Sequence, residues 1–484
     1  MKKDNNFKLL AVFGILWSWF SQILTQIFQF IVLIILARLL SPQDFGIVGL
    51  ATVVTGLITT INELGLSAAI IQKKHVNDIH LSTSFWANIM MSTILFIIVV
   101  STSSFIADFY NNDMVRPILI VSSTAFIIGS FGIIQRSLLE KSLEFKKLTI
   151  VDVNATLVSG IISILLAFYG YGAWSIVLGS ISNTFVSVII LWKINAWRPL
   201  LKFSFIHFKE LFDFGGNIVG SNILRYMSMN IDYLIIGRLF GTFSLGYYTL
   251  ARNLTSFPVQ NISWTIMRVT FPAFSKIQDD DNNVRIGYLR IIRYVSLITF
   301  PMLFGLSVIA FEFVSIFYGE KWIPMVILLQ IFCVSSALVS IGTIANTVQY
   351  SKGRSDLPLR QHTYGIILMP VAVIIGTKYG LVGMAIAVAV GTIFLVLIFQ
   401  MMTNTLIKLN MRAIIKEIIP AAIGSIIMMI GIAIYKYIVI YNTQQIYVFL
   451  SSVFIGILIY IISIRIIYKD IFNEIKTLIR EIKG

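Results

Sequence analysis

Charge is scarce in this chain: Asp, Glu, Lys and Arg make up 12% of its 484 residues, about half the soluble-protein norm. That excludes a soluble domain. The single cysteine, Cys333, lies in an apolar run, so no intrachain disulfide can form and cysteine usage does not report a compartment. The four histidines, His75, His80, His207 and His362, fall in three separate polar segments, which argues against a metal site. A G-x-x-x-x-G-K-[ST] loop and an H-E-x-x-H motif are both missing. Nucleotide-driven pumping and zinc proteolysis are thereby excluded. Long polar stretches are missing too. Segments on one side of the expected bilayer are about a dozen residues or fewer, and the longest on the other, roughly residues 268–293, reads as a solvated loop despite its Asp279, Asp280 and Asp281.

What the chain does have is apolar sequence. By the AVILMFWYC count 57% of it is apolar, and a mean hydropathy of +0.88 over the whole length requires many membrane spans. Runs long enough to cross about 30 Å of hydrocarbon number fourteen, from near residue 9 to near residue 468. The first follows Lys2, Lys3 and Lys8 and is too long for a signal-peptide core, so it reads as a retained span. Lys and Arg exceed Asp and Glu by 15. Because these bases sit between apolar runs, they fit short loops beside an anionic leaflet, not nucleic acid. With the N-terminus inside, 29 of the 37 bases fall on the cytoplasmic side and 6 on the other. The expected topology therefore places both termini in the cytoplasm.

The sequence repeats itself. Residues 33–47, LIILARLLSPQDFGI, align without a gap on residues 233–247, YLIIGRLFGTFSLGY, pairing Arg38 with Arg238 and Gly46 with Gly246 at an offset of 200. Gln135 finds Gln349 and Gly172 finds Gly383 at offsets of 214 and 211. Repeats of this size are a transporter signature. Six spans per repeat is an even number, so both halves insert the same way up and are related by an axis along the membrane normal. The expected fold is thus an all-α polytopic membrane protein of about 14 transmembrane helices: a six-helix N-lobe (1–197), a six-helix C-lobe (198–404), and a C-terminal helix pair with a basic cytoplasmic tail (405–484).

The stretch LARLLSPQDFGIVGLATVVTGLITTINELGLSAAIIQKK, followed by HLSTSFWANI, resembles the first spans of bacterial exopolysaccharide exporters of the colanic-acid and teichuronic-acid type. These belong to the multidrug/oligosaccharidyl-lipid/polysaccharide flippase superfamily. The resemblance implies a twelve-span two-lobed core plus a terminal pair in a bacterial cytoplasmic membrane. It also implies translocation of a polyprenyl-diphosphate-linked oligosaccharide from the inner to the outer leaflet, with membrane lipids, a polysaccharide polymerase and glycosyltransferases as partners.

Polar residues inside spans are the candidate site. Asn217, Ser221, Arg225, Ser228 and Asp232 form one stripe on span 7, and Ser18, Gln22, Thr25 or Gln26, and Gln29 form another on span 1. The repeat offset lays Gln22 on Asn222, Thr25 on Arg225 and Thr52 on Arg252. Expected substrate contacts are Arg225, Arg252, Ser221, Asn222, Gln22 and Thr25, since an arginine held at bilayer depth needs water, a counter-ion or an anion and its planar fork suits phosphate. The alternative is an ion pair between Arg225 and Asp232. Asp232, Glu312, Asp152 and Glu63 are the candidate ion-coupling carboxylates, for a proton or Na+, and no cofactor is expected. Pro258, Pro301 and Pro370 are candidate kinks. A drug/cation antiporter of the same superfamily is the nearest alternative function. A membrane polymerase or acyltransferase is less favoured, for want of a large outer loop or a span histidine. Cysteines introduced at Asn5, His207 and Lys483 should all be protected from an impermeant thiol reagent in intact cells; labelling of any one from outside refutes the topology.

Overall fold

The computed structural model describes residues 22, 24–62, 65–73, 76–354, 356–439 and 444–468. Among them there is no strand. The helices are α1 (Leu24–Leu39), α2 (Pro42–Asn62), α3 (Leu66–Gln72), α4 (Asp78–Tyr110), α5 (Val115–Lys141), α6 (Phe145–Phe168), α7 (Ala173–Ile194) and α8 (Phe205–Lys276). They continue with α9 (Asp281–Val308), α10 (Ala310–Phe317), a 3-10 turn (Glu320–Met325), α11 (Val326–Ser351), α12 (Asp356–Thr377), α13 (Gly380–Leu406), α14 (Met411–Val439) and α15 (Gln445–Ile467). Eleven helices among the described residues are long and apolar enough to cross a membrane. Of the fourteen expected spans, the first falls on the shorter α1 and the seventh and eighth both fall on α8.

The helices are patterned for lipid as solvent. On α4, Asn88, Ser92, Leu95, Val99, Ser103 and Ala107 are buried at intervals of three or four, whereas Ile94, Ile97, Ile98 and Phe105 are exposed. Apolar side chains face outward and small or polar ones inward, because without a hydrophobic drive between helices close packing and internal hydrogen bonds must hold them. The buried bond from Ser92 Oγ to Asn62 Oδ1, 2.7 Å, ties α4 to α2 in this way.

The chain divides into two compact units, residues 1–246 and 247–484. In the first, α2 begins with a reciprocal cap. Ser41 N donates to Asp44 Oδ2 at 2.8 Å and Asp44 N donates to Ser41 Oγ at 3.2 Å. Asp44 Oδ1 also accepts from Ala173 N at 2.9 Å, so one carboxylate caps the starts of both α2 and α7. From there α2 lies against the first arm of α8. A Cβ added at Gly46 would overlap the carbonyl oxygen of Thr242, and one added at Gly246 would overlap that of Pro42. These four positions are two repeat-matched pairs, so the contact is reciprocal, as at a two-fold interface. Farther along, Gly237 receives Leu50 and Gly56 receives the Tyr226 ring. At the other end of the unit, clusters around Phe85, Ile70 and Ile134 and around Val151 and Leu191 close α3, α4, α5, α6 and α7 together.

The second unit packs α9 against α11 and α14 and closes on the buried Tyr288, Phe332 and Phe399. Its α14 and α15 attach through Ile309, Met428 and Ile432, and through Tyr460 Oη donating to Leu297 O at 2.8 Å. The candidate prolines Pro258, Pro301 and Pro370 all lie inside continuous helices. The break in α8 comes instead at Gly241, with φ 75° and ψ 176°, a conformation open to glycine alone. Because the backbones touch at Gly46, the Gly46→Ala variant should lose about 1–3 kcal/mol and melt lower in detergent. Gly220→Ala, whose Cβ would meet nothing within 4 Å, should not. Equal melting temperatures for the two would refute the contact.

Candidate functional site

Span 7 occupies the first arm of α8, where the Asn217 and Ser221 side chains lie outside the described residues. Arg225 is exposed, Asn222 and Ser228 are half-buried, and Asp232 is buried. The ion pair weighed above does not form: among the described residues no contact joins Arg225 to Asp232, whose Oδ1 accepts from Tyr233 N at 3.1 Å. The neighbouring Tyr226 anchors this arm, its hydroxyl donating to the carbonyls of Thr52 and Val53 at 3.2 and 3.1 Å. Arg225 is therefore carried on a segment bonded to α2. On α1, Gln22 and Thr25 are half-buried, and Thr25 Oγ1 donates to Gln22 O at 3.1 Å. Ser18 lies outside the described residues.

Arg252 belongs to the second unit. Its guanidinium stands over the rings of Tyr248 and Phe332, 5.9 and 5.8 Å from their centroids, and is half-buried. Aromatic faces hold a cation in place. Thr255, one turn on, returns its hydroxyl proton to Ala251 O at 3.1 Å. Its repeat mate Thr55 does the same to Ala51 O at 2.8 Å.

The candidate carboxylates have separate fates. Asp152 is held by both terminal nitrogens of Arg136, at 2.9 and 3.1 Å. Glu312, 3% exposed, is met by Lys436 Nζ at 2.7 Å, and the same ammonium donates to Val308 O at 3.0 Å. Glu63 lies outside the described residues. Asp279, Asp280 and Asp281 act locally: Asp280 caps α9 through Asn282 N and Asn283 N, both at 3.0 Å, and Asp281 pairs with Lys352 at 2.5 Å. The backbone bond from Asn283 helps hold the Asp280 carboxyl below its ordinary value.

Two features were not visible in the sequence. His80 and His207, 127 positions apart, meet edge to face at 4.2 Å, and Glu210 joins them by accepting from Lys73 and His80. Hydrogen bonding from Lys73 is the main cause that holds the Glu210 carboxyl below the ordinary glutamate value. Among the described residues no three His, Cys, Asp or Glu side chains are grouped to hold a metal. The second feature is a cavity of about 400 Å³ within the first unit, walled by α2, α5 and α7 and lined by Thr52, Thr55, Thr59, Asn62, Ser180 and Thr184 among others. The only signal for it was the recurrence of Thr and Asn at 52, 55, 59 and 62, one face of a helix otherwise read as a plain span.

The architecture is that of a multi-pass helical membrane protein. It matches the lipid II flippase MurJ in its inward closed conformation with a TM-score of 0.75 at 18% identity, over 96% of this chain and 99% of that one. A multidrug resistance transporter of the MATE family, in its inward-facing conformation, matches at 0.65 and 16%, over 79% and 94%. Residues 35–327 match the family described as polysaccharide biosynthesis protein, and the chain belongs to that family. Relatives include the lipopolysaccharide biosynthesis protein WzxC of Escherichia coli, 29% identical over 76% of this chain and 75% of that protein. A membrane protein of the cps region of Klebsiella pneumoniae is 30% identical over 75% of each, and the teichuronic acid biosynthesis protein TuaB of Bacillus subtilis is 26% identical over 71% and 72%.

Removing Lys436 would strand the buried Glu312 carboxylate. Lys436→Met should therefore cost about 3–5 kcal/mol of stability, and adding Glu312→Gln should recover most of it. Unfolding in mixed micelles reads both, and a double variant no more stable than the single would show the pair to be incidental.

Proposed function

We propose that this protein is a flippase that carries a polyprenyl-diphosphate-linked oligosaccharide from the cytoplasmic to the outer leaflet for surface polysaccharide synthesis. It acts as a transporter, not an enzyme. Family membership, relatives named for lipopolysaccharide and teichuronic acid biosynthesis, and the shared fold of a lipid II flippase support this reading. The observation that carries it is the exposed Arg225. Its guanidinium has no ion pair among the described residues, and it lies in the run from 211 to 237 that the sequence marks as span 7. An uncompensated arginine at that depth is costly, and a diphosphate supplies the missing charge.

In this reading Arg225 and Arg252 grip the diphosphate, with Ser221, Asn222, Gln22 and Thr25 as polar neighbours. Both termini face the cytoplasm, where the precursor is made and where 29 bases hold the loops. Asp232, buried in the same arm of α8, is the carboxylate assigned to coupling with a proton or Na+. A drug/cation antiporter would have little use for cationic groups in its path.

Charge-assisted bonds are worth about 1.5–3 kcal/mol each, so loss of either arginine should slow export about ten- to a hundredfold. Arg225→Lys and Arg252→Lys should rescue in part, keeping the charge but losing the planar fork, while Gln should not. The measurement is accumulation of lipid-linked glycan on the cytoplasmic leaflet of cells carrying each variant at normal abundance. Full export by both Gln variants would overturn the reading.

A further inference from the structure

The cavity within the first unit is the strongest feature that the diphosphate reading leaves unused. Its volume of about 400 Å³ lies in the range of small-molecule sites, roughly 300–1,000 Å³, and far exceeds a dehydrated ion. None of its lining residues is charged. In a protein with an excess of 15 positive charges, an uncharged cavity is poorly suited to a phosphate.

Its hydrogen-bonding character is more selective than its polarity. Thr55 Oγ1 donates to Ala51 O at 2.8 Å, Thr59 Oγ1 to Thr55 O at 2.9 Å, and Thr184 Oγ1 to Ser180 O at 3.3 Å. Each hydroxyl has spent its one proton on the backbone and offers only lone pairs. A diphosphate, which also offers only lone pairs at neutral pH, gains no hydrogen bond from these three hydroxyls as they stand. A sugar does, since each of its hydroxyls is a donor. Asn62, 5% exposed, lines the same cavity with its Oδ1 engaged by Ser92. The buried ring of Phe126 supplies an apolar surface of the kind that the C–H face of a sugar covers.

The cavity also adjoins the arginine arm. Thr52 lines it, and the Thr52 carbonyl accepts from Tyr226, the residue after Arg225. We propose that this cavity is a glycan subsite, in which α2, α5 and α7 accept hydrogen bonds from uncharged sugar residues next to the diphosphate held by Arg225. The inference rests on the flippase reading and adds to it: charge selects the lipid carrier and the neutral wall selects the sugars. A glycan rich in uronic acids on its first residues is disfavoured here, because no cation lines the cavity.

The test uses the full chain in lipid nanodiscs and two probes. One is the polyprenyl-diphosphate glycan that accumulates in cells depleted of the protein; the other is the same polyprenyl diphosphate without sugar. The ratio of their dissociation constants isolates the glycan contribution. Wild type should favour the glycosylated lipid, and Thr55→Val and Thr59→Val, nearly isosteric, should each shrink that ratio about three- to tenfold, the worth of a neutral hydrogen bond. Thr55→Ser, which keeps the hydroxyl, should preserve it and so separates lost bonding from lost packing. A ratio unchanged in the Thr55→Val/Thr59→Val double variant, or lost equally in Thr55→Ser, overturns the subsite while leaving the carrier reading intact. Failure of wild type to bind even the bare diphosphate lipid overturns both.

Discussion

The close approach of α2 to the first arm of α8 is the constraint on which the site depends. Two glycines, Gly46 and Gly246, let backbone meet backbone at Thr242 and Pro42, and a side chain at either would push the helices apart. Below that point the register is fixed by Leu50 against Gly237 and by the Tyr226 ring against Gly56. The bonds from Tyr226 to the carbonyls of Thr52 and Val53 then complete the row. Tyr226, the residue after Arg225, is thereby held beside Thr52, which lines the cavity. Gly241 supplies the turn at its upper end, where φ of 75° admits no other residue at low cost.

Lipid as solvent explains the disposition of charge. The half-exposed Asp152 has a two-pronged partner in Arg136, and the buried Glu312 has Lys436, whose ammonium also donates to a backbone carbonyl. Neither arrangement leaves a charge alone in low dielectric, where the cost would be several kcal/mol. Arg252 is held differently, over the faces of Tyr248 and Phe332. An aromatic bed fixes a guanidinium's position.

Composition and periodicity made the fold class legible, since +0.88 mean hydropathy admits little else, and the ungapped match of 33–47 with 233–247 exposed the repeat. The reciprocal contact of Gly46 and Gly246 is the structural form of that match. Proline was a poor guide to irregularity. Helices absorb Pro258, Pro301 and Pro370, whereas the true break needed a positive φ that sequence marks only as one glycine among 31. Partners of the carboxylates were invisible because Lys436 lies 124 positions from Glu312. The cavity was missed for a chemical reason. A threonine that returns its proton to the preceding turn is tolerated in any span, so Thr55 and Thr59 look the same whether they line a cavity or face a neighbour.

Duplication followed by divergence accounts for the chemistry that remains. Thr55 and Thr255 keep the same back-bond to Ala51 and Ala251, so the local scaffold is conserved between repeats within this chain. Three residues earlier the repeats part, with Thr52 lining a neutral cavity and Arg252 carrying a charge. A lipid-linked glycan has two unlike ends, a charged diphosphate and its sugars. Phosphate is common to every such carrier, so in the proposed reading the arginines supply affinity without choosing among glycans. In that reading discrimination comes from neutral hydrogen bonds, because a polar group in the site is left unsatisfied by a ligand that lacks hydroxyls in the right places. Each of those bonds is weak enough, about 0.5–1.5 kcal/mol, to be broken again on release. A wall of further arginines would bind an anionic substrate too firmly to let it go, and this gives a physical reason for the repeat in the first unit to have kept threonine where the second has arginine.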